Sequence, residues 1–429
     1  MNLVLNNCQM ILPGRKSAVG DIVVTNGKID KILISPEERA SSPRGIDLFG
    51  AIVMPGIVNA HCHAPMTLLR GVGGGLPLKR WLEEAIFPVE ARMTDEDVAA
   101  GMTWGAMELL AGGVTCVADM YEHSLAGAAV LAETGIKANV CRPGLAFDDG
   151  TPKGRLEECI DFVRNFRDSN GRLLADICIH SEYLTNEKFC RALAEANREF
   201  TRPLNVHVSE TKREHEECIA RHGKTPIAYL AETGLLDYGG YAAHCVWCTD
   251  DDFKIMADRN VSLVHNPSSN MKLASGFARV CRAAELGVNV ALGTDGPASN
   301  DNLDMFEEMH LTSLIHKGVL LDPTVLSPWE VIEMATVNGA KALGRYDTGE
   351  IAVGKAADFC VVALDKPHLN PCVDPANLIV HSAHASDVVM TIVDGRIVYE
   401  RSPEQSWIDI NHERAKFDFE MSLRRLKIK

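Results

Sequence analysis

The middle of the chain alternates short apolar runs with longer amphipathic stretches. Runs of roughly four to eight apolar residues indicate buried strands, and apolar residues at three- and four-residue spacing indicate helices. The runs that we predict to be strands are 52–58, 114–120, 136–142, 175–180, 203–208, 241–246, 261–266 and 288–294. The clearest helical patterns between them are 95–112, 154–168, 186–199, 212–220 and 250–258.

Eight strand-then-helix units predict a (β/α)₈ barrel, an α/β fold with parallel strands inside and helices outside. A doubly wound open sheet is the alternative arrangement of the same alternation. The glycine run at 71–75 lacks the spacing of a nucleotide-binding loop, and we interpret it as a flexible loop.

Both ends of the chain are rich in predicted strands instead. Asn26-Gly27 separates the apolar runs 19–24 and 28–34, and Asp394-Gly395 follows 388–393. Both dipeptides are typical of tight hairpins. Because chain ends often lie close together, we predict a small composite β-sandwich domain from residues 1–50 and 350–405. The barrel would then span 51–349, with a charged C-terminal helix at 406–429.

Composition narrows the function classes. The formal net charge is −15, with 46% hydrophobic and 24% charged residues, which argues against a nucleic-acid partner because such proteins need a basic face. We see no signal peptide and no apolar run of membrane-spanning length. The 13 cysteines are scattered, which predicts reduced thiols in a cytoplasmic protein. Cys245 and Cys248 form an isolated C-x-x-C, for which a redox or zinc role is disfavoured.

Polar residues that suit catalysis follow several of the predicted strands. Enzymes with this barrel carry their reactive groups at the carboxyl ends of the strands. The histidines and acidic residues at these ends are His61, His63, His180, His207, Glu210, His244 and Asp295. His61 and His63 are two apart, so an extended backbone points both to one face. Their convergence on one rim predicts a metal site.

Several motifs resemble a known family. They are Met54-Pro55-Gly56-Ile57-Val58-Asn59-Ala60-His61-Cys62-His63, Ile86-Phe87-Pro88-Val89-Glu90, His207-Val208-Ser209-Glu210-Thr211, Ala243-His244-Cys245, His265-Asn266-Pro267-Ser268-Ser269-Asn270 and Gly293-Thr294-Asp295-Gly296. Over nearly its whole length the chain resembles the amidohydrolase superfamily, and within it the 5-methylthioadenosine/S-adenosylhomocysteine deaminase family.

The resemblance implies one divalent metal held by His61, His63, His207 and Asp295. Three imidazoles and a carboxylate suit zinc, although iron or manganese would also fit. Bound zinc lowers the pKa of its water to about 7. The implied reaction is attack of metal-bound hydroxide on C6 of an adenine, with loss of ammonia.

The resemblance also implies catalytic roles. Glu210 would carry protons to the ring and the leaving amine, Asp295 would take the proton of the water, and both would contact the substrate. His244 would orient the hydroxide or polarise the developing charge. The alternatives are that Glu210 is a hydrogen-bonding partner of His207 and that His244 is a fifth ligand or a core histidine.

Further residues are implied to recognise the nucleoside. Glu90 would accept the ribose hydroxyls, and Arg142 and His180 would surround the ribose and the 5′ substituent, with Arg155 and Ser299 as weaker matches. Alternatively, Glu90 is a charge at a helix start and Arg142 forms a surface salt bridge.

The resemblance predicts hydrolytic deamination of 5′-modified adenosines, such as 5-methylthioadenosine, S-adenosylhomocysteine, 5′-deoxyadenosine or adenosine, by a homo-oligomer. The preferred 5′ group stays open because the loops at 73–75 and 143–153 depart from the family pattern. A deaminase or chlorohydrolase for another ring, such as guanine, a pterin or a triazine, is the first alternative. A non-catalytic assembly protein on the same fold is the second.

Overall fold

A computed structural model describes residues 2–146, 153–168, 170–402 and 406–428. Most of the loop at 143–153 lies outside this range. No helix within the described residues is long and apolar enough to cross a membrane.

The chain contains 17 strands within the described residues. In chain order they are β1 (Asn2–Leu12), β2 (Lys16–Thr25), β3 (Lys28–Leu33), β4 (Ile46–Asp47), β5 (Ile52–Pro55), β6 (Ile57–Cys62), β7 (Val114–Met120), β8 (Lys137–Cys141), β9 (Leu173–Ala175), β10 (Ile177–Ser181), β11 (Leu204–Val208), β12 (Gly240–His244), β13 (Val261–His265), β14 (Val290–Leu292), β15 (Phe359–Val362), β16 (Val388–Val393) and β17 (Arg396–Glu400).

Helices cover the barrel and fill the connections. They are α1 (Pro36–Ala40), α2 (Leu78–Arg80), α3 (Phe87–Glu90), α4 (Asp95–Ala111), α5 (Ser124–Thr134), α6 (Lys153–Asn165), α7 (Glu187–Phe200), α8 (Lys212–His222), α9 (Pro226–Thr233), α10 (Asp250–Asp258), α11 (Pro267–Lys272), α12 (Val280–Glu285), α13 (Met305–Leu320), α14 (Pro328–Ala335), α15 (Val337–Ala342), α16 (Pro375–His381) and α17 (His412–Leu426). A π-helical turn, Trp81–Ile86, joins α2 to α3.

The central strands form the predicted (β/α)₈ barrel. Parallel strands β6 to β9 make one arc and β10 to β14 make the other. A parallel bridge between Gly144 and Ile179 joins the arcs on one side, and one between Cys62 and Asp295 joins them on the other. β9 and β10 form a single interrupted strand, so the barrel has eight strand positions.

An apolar plug fills the amino-terminal end of the barrel. Inward-facing residues of the strands, among them Val58, Cys116 and Tyr241, pack with Ala340 and Leu343 at α15. Burial of apolar surface stabilises the fold by about 25 cal/mol per Å². Since this end is filled, the polar interior residues concentrate at the carboxyl end.

The strand-rich chain ends form one sheet of eight strands, in the order β17-β16-β15-β5-β1-β2-β3 with β4 beside β1. The sheet curls back on itself, because the segment just before β15 bonds to the β2–β3 hairpin. Ala357 donates its N–H to the Gly27 oxygen at 2.9 Å, and Ile29 donates its N–H to the Lys355 oxygen at 2.9 Å. The layers of the expected sandwich are therefore parts of one curled sheet, which encloses its own apolar core.

The prediction of a single strand at 52–58 was wrong. β5 pairs with β1 and β15 in the curled sheet, and β6 pairs with β7 in the barrel. Gly56 marks the change because a Cβ there would lie 2.1 Å from Thr115 Oγ1. The chain therefore leaves one sheet and enters the other within two residues, and His61 lies inside β6 rather than after it.

Candidate metal centre and active site

A cavity of about 550 Å³ opens at the carboxyl ends of the barrel strands. Its floor carries residues from several strands, and its walls come from the connections that follow them. The sequence-predicted residues that line it are His63, Glu90, Arg155, His180, His207, Glu210, His244, Asp295 and Ser299.

Five side chains converge at the floor. One nitrogen or oxygen from each of His61, His207, His244 and Asp295 lies within 4.8 Å of the others. His63 joins them, because its Nε2 lies 3.2 Å from Asp295 Oδ1 and 3.2 Å from His207 Nε2. His61 Nε2 lies 3.4 Å from the same Asp295 oxygen. The structure thus brings together all four residues predicted as metal ligands.

Hydrogen bonds from Nδ1 of His63 and His207 fix these rings so that Nε2 faces the centre of the cluster. His63 Nδ1 donates to the backbone oxygen of Met120 at 2.5 Å, and His207 Nδ1 donates to that of His180 at 2.6 Å. In the neutral rings, both Nε2 atoms therefore carry the lone pair. Among the described residues, neither ring nitrogen of His61 has a partner that meets hydrogen-bond geometry, although His61 is fully buried.

Asp295 is held by hydroxyl groups on the side away from the histidines. Ser269 and Ser299 donate to its Oδ2 at 2.6 and 2.7 Å, leaving Oδ1 toward the histidines. Burial raises the pKa of Asp295, but the adjacent rings of His61 and His63 outweigh burial and bring the pKa well below its usual range. The carboxyl group is therefore negatively charged.

This donor set fits a divalent cation. Burial lowers the pKa of His61 to about 4 and brings that of His207 well below its usual value, so both imidazoles are neutral ligands. Burial alone would lower the pKa of His63, but Asp295 raises it to about 9, so this ring has to release its Nε2 proton when it binds a cation. A buried carboxylate among imidazoles with orphaned nitrogens is the environment that zinc and similar metals prefer.

Strained backbone positions aim the site residues. Ser209, His244, Cys245 and Asp295 all have left-handed backbone, with φ between 47° and 71°. Such conformations cost non-glycine residues roughly 1–3 kcal/mol each and cluster at functional sites. All four lie at or just beyond strand ends, and His244 and Asp295 line the cavity. The turns after β11, β12 and β14 are therefore shaped for the site.

Glu210 lies beside the centre, three residues after His207. Its Oε2 is 3.8 Å from His244 Nε2, and its Oε1 accepts from Ser275 Oγ at 3.4 Å. Burial raises the pKa of Glu210. Glu214, at the start of α8, accepts the backbone N–H groups of Ser209 and Glu210 at 2.8 Å, which fixes the turn that carries Glu210.

His244 ends β12 and faces both Glu210 and the ligand cluster. Its Nδ1 lies 2.8 Å from Asn270 Oδ1, to which it donates. The Nε2 atom is therefore available to the cavity. This geometry permits a contact with substrate as well as with a cation.

One wall carries groups suited to hydroxyl recognition. Glu90, at the end of α3, lines the cavity and hydrogen-bonds with Tyr121, and burial raises the pKa of this glutamate. His180 stacks at a tilt on His207, with ring centres 4.5 Å apart. Burial lowers the pKa of His180 to about 3, so its ring is neutral.

The two predicted arginines differ in position. Arg155 lines the cavity and makes a bidentate pair with Glu122, at 2.6 and 3.1 Å. Arg142 does not line it. Its guanidinium lies in a neighbouring groove, paired with Glu158 and 3.6 Å from Glu122. The alternative interpretation of Arg142 as a surface salt bridge agrees with this position better than substrate contact does.

Sequence reasoning missed the apolar wall and several supporting residues. Trp81, Leu82 and Phe87 line the cavity from the π-helical turn and α3. The aromatic residues between the glycine run and Glu90 could have indicated such a wall. The pairings of Asn270 and Glu214 had no signal in the sequence, since they depend on how separate turns meet.

Comparisons with known proteins agree with the geometry. Residues 52–398 match the amidohydrolase family. The 5-methylthioadenosine/S-adenosylhomocysteine deaminase of Acetivibrio thermocellus is 41% identical over 427 residues, which cover 97% of this chain and 98% of that protein. The 5′-deoxyadenosine deaminase of Methanosarcina mazei is 42% identical over 384 residues, covering 89% and 88%.

A solved structure is similar throughout. An adenosine deaminase from Xanthomonas campestris, determined with bound zinc, has a TM-score of 0.91 and 32% identity to this chain. The match covers 100% of this chain and 99% of the other. The two proteins therefore share the barrel and the curled sheet.

Proposed function

Because the chain belongs to the amidohydrolase family, as its motifs predicted, we propose that it deaminates 5′-modified adenosines by hydrolysis. The products are the corresponding inosine analogue and ammonia. In this reaction the bond between C6 and its amino nitrogen breaks, and a bond from C6 to a water oxygen forms.

The observation that carries this proposal is a juxtaposition at the floor of one cavity. A cluster of imidazoles and one carboxylate suited to a metal lies beside a buried Glu210, while Glu90 faces the same cavity from the wall. Relatives named for deamination of 5-methylthioadenosine, S-adenosylhomocysteine and 5′-deoxyadenosine support the substrate class.

We assign His61, His63, His207 and Asp295 as ligands of one divalent metal. Zinc suits this set, and iron or manganese are the alternatives. The metal would supply a water molecule that is acidic enough to react at neutral pH. His244 is assigned to the substrate side of the centre, because its Nε2 is within 3.8 Å of Glu210 Oε2.

The acidic residues move the protons. Asp295 Oδ1 faces the centre and can accept a proton there, since Ser269 and Ser299 hold its other oxygen. Glu210 can deliver its proton to a ring nitrogen, take up a proton released from the water, and deliver this second proton to the departing amine. His244 Nε2 lies beside Glu210 and can orient the attacking oxygen by accepting its hydrogen.

We assign recognition of the nucleoside to residues in the walls of the cavity. The Glu90 carboxylate can accept two ribose hydroxyls, a pairing that strongly rejects substrates without them. Trp81 and Phe87 provide apolar surface for the uncharged parts of the substrate. His180, Arg155 and Ser299 complete the predicted substrate set, and Arg142 is left out because it lies outside the cavity.

A substrate panel tests the proposal. Ammonia release by the zinc-loaded protein is measured with 5-methylthioadenosine, S-adenosylhomocysteine, 5′-deoxyadenosine, adenosine and guanine. We expect turnover of at least one adenosine and none of guanine. Turnover of guanine alone, or of no compound despite full metal content, would reject the proposed reaction.

A further inference from the structure

Asn266, which follows β13, is a polar residue with no role in the proposed reaction. Its side chain is fully buried, and neither its amide nitrogen nor its amide oxygen has a hydrogen-bond partner in the part of the chain that the structure describes. Leaving a buried polar group unpaired costs about 1–3 kcal/mol. The Asn266 amide is therefore expected to have a hydrogen-bond partner in the functional protein.

One histidine of the metal centre lacks a hydrogen-bond acceptor that the others have. His63, His207 and His244 each have an acceptor for Nδ1, whereas His61 has none within the described ranges. Its Nε2 faces Asp295, so a metal held there would leave the hydrogen on Nδ1. A ligating histidine almost always donates this second N–H to an oxygen acceptor.

Gly293 lies between the backbone of His61 and the side-chain amide of Asn266. A Cβ at this position would lie 2.8 Å from the backbone nitrogen and oxygen of His61 and 2.9 Å from Asn266 Nδ2. Gly293 follows β14, which lies between β13 and β6 in the barrel. The missing side chain thus opens the path along which an amide on one side of β14 approaches His61 on the other.

We infer that Asn266 is a positioning residue for the metal centre, whose amide oxygen accepts the Nδ1–H of His61. A 180° rotation of the side-chain amide exchanges its nitrogen and oxygen, so the amide oxygen can face His61. This contact would fix the ring orientation of His61 and strengthen it as a ligand. The inference rests on the metal site of the proposed function and is independent of the substrate.

Metal affinity tests the inference without any assay of turnover. Zinc affinity is measured by competition with a chelator for the wild type, Asn266→Ala, Asn266→Asp and Asn139→Ala. Loss of such a partner typically lowers metal affinity about 10–100-fold, which we expect for Asn266→Ala. Asn266→Asp keeps an acceptor and should restore the affinity.

Asn139→Ala is the matched control. Asn139 is a buried barrel asparagine bonded to Asp176 and Leu343, so its loss should lower the melting temperature while metal affinity stays at the wild-type value. The absorption spectrum of the cobalt-substituted protein should change in Asn266→Ala and stay unchanged in Asn139→Ala.

A crystal structure of the zinc-loaded wild type keeps the test decisive if Asn266→Ala does not fold. We expect Asn266 Oδ1 within about 3.2 Å of His61 Nδ1. Another acceptor on His61, or wild-type zinc affinity in a folded Asn266→Ala protein, would overturn the inference. Absence of deaminase activity would reject the proposed function and leave these readouts intact.

Discussion

Replacing Glu210 with glutamine separates proton transfer from every other property of the site. The two side chains have the same shape, and an amide oxygen can still accept the 3.4 Å hydrogen bond from Ser275. Packing and the turn held by Glu214 should therefore persist. The amide cannot carry a proton, and general acid–base catalysis contributes about 10²–10⁴-fold.

We accordingly expect kcat to fall by about 10²–10⁴-fold, equivalent to about 3–5 kcal/mol of barrier, with unchanged zinc content. Initial rates with 5-methylthioadenosine and metal analysis of the same samples provide the measurement. Asp176→Asn is the control, since this buried carboxylate contacts Arg202 and Tyr241 away from the cavity. Its kcat should be that of the wild type. A Glu210→Gln protein with near-wild-type kcat would refute the proton-transfer role.

Three further changes test recognition, ligation and stability. Glu90→Ala should raise KM for 5-methylthioadenosine about tenfold or more, because hydrogen bonds to a charged group contribute about 1.5–3 kcal/mol each. Steady-state kinetics at constant zinc content measure this change, and an unchanged KM would remove Glu90 from the site. His207→Asn should lose the metal, whereas His244→Asn should retain the metal and lose turnover. Metal analysis of the purified proteins measures the first difference, and equal zinc loss in both variants would make His244 a ligand. Lys137→Ala should lower the free energy of unfolding, measured in a denaturant titration, by about 3–5 kcal/mol. Lys137 pairs with Asp358 at 2.7 Å, so its loss leaves Asp358 as an uncompensated buried charge. A change below about 1 kcal/mol would contradict this account of the pair.

Strong periodicity allowed the barrel to be predicted. The predicted helix at 250–258 and strands at 114–120 and 388–393 match α10, β7 and β16 residue for residue, because polar or turn residues bound each segment. The run 52–58 is apolar on both sides of Gly56. A change from one buried sheet to another leaves no trace in such a pattern, which is why the split into β5 and β6 was missed.

The floor of the site was more predictable than its walls. His61 and His207 are the penultimate residues of β6 and β11, and Asp295 lies three residues after β14, so the barrel itself determines that they converge. Arg142 directly follows β8, but the direction of its side chain depends on Glu158. Glu158 is an exposed residue of α6, and the sequence does not give its position relative to β8. The pairing of His244 with Asn270 likewise depends on two separate turns.

Reconstitution of the metal-free protein tests the central claim most directly. Zinc is added stepwise to the chelator-treated protein, and the loss of adenine absorbance with 5-methylthioadenosine is followed at each step. The account predicts no turnover without metal and a linear rise that reaches its plateau at one zinc ion per chain. Full turnover by the metal-free protein, or none once one zinc ion is bound, would contradict it.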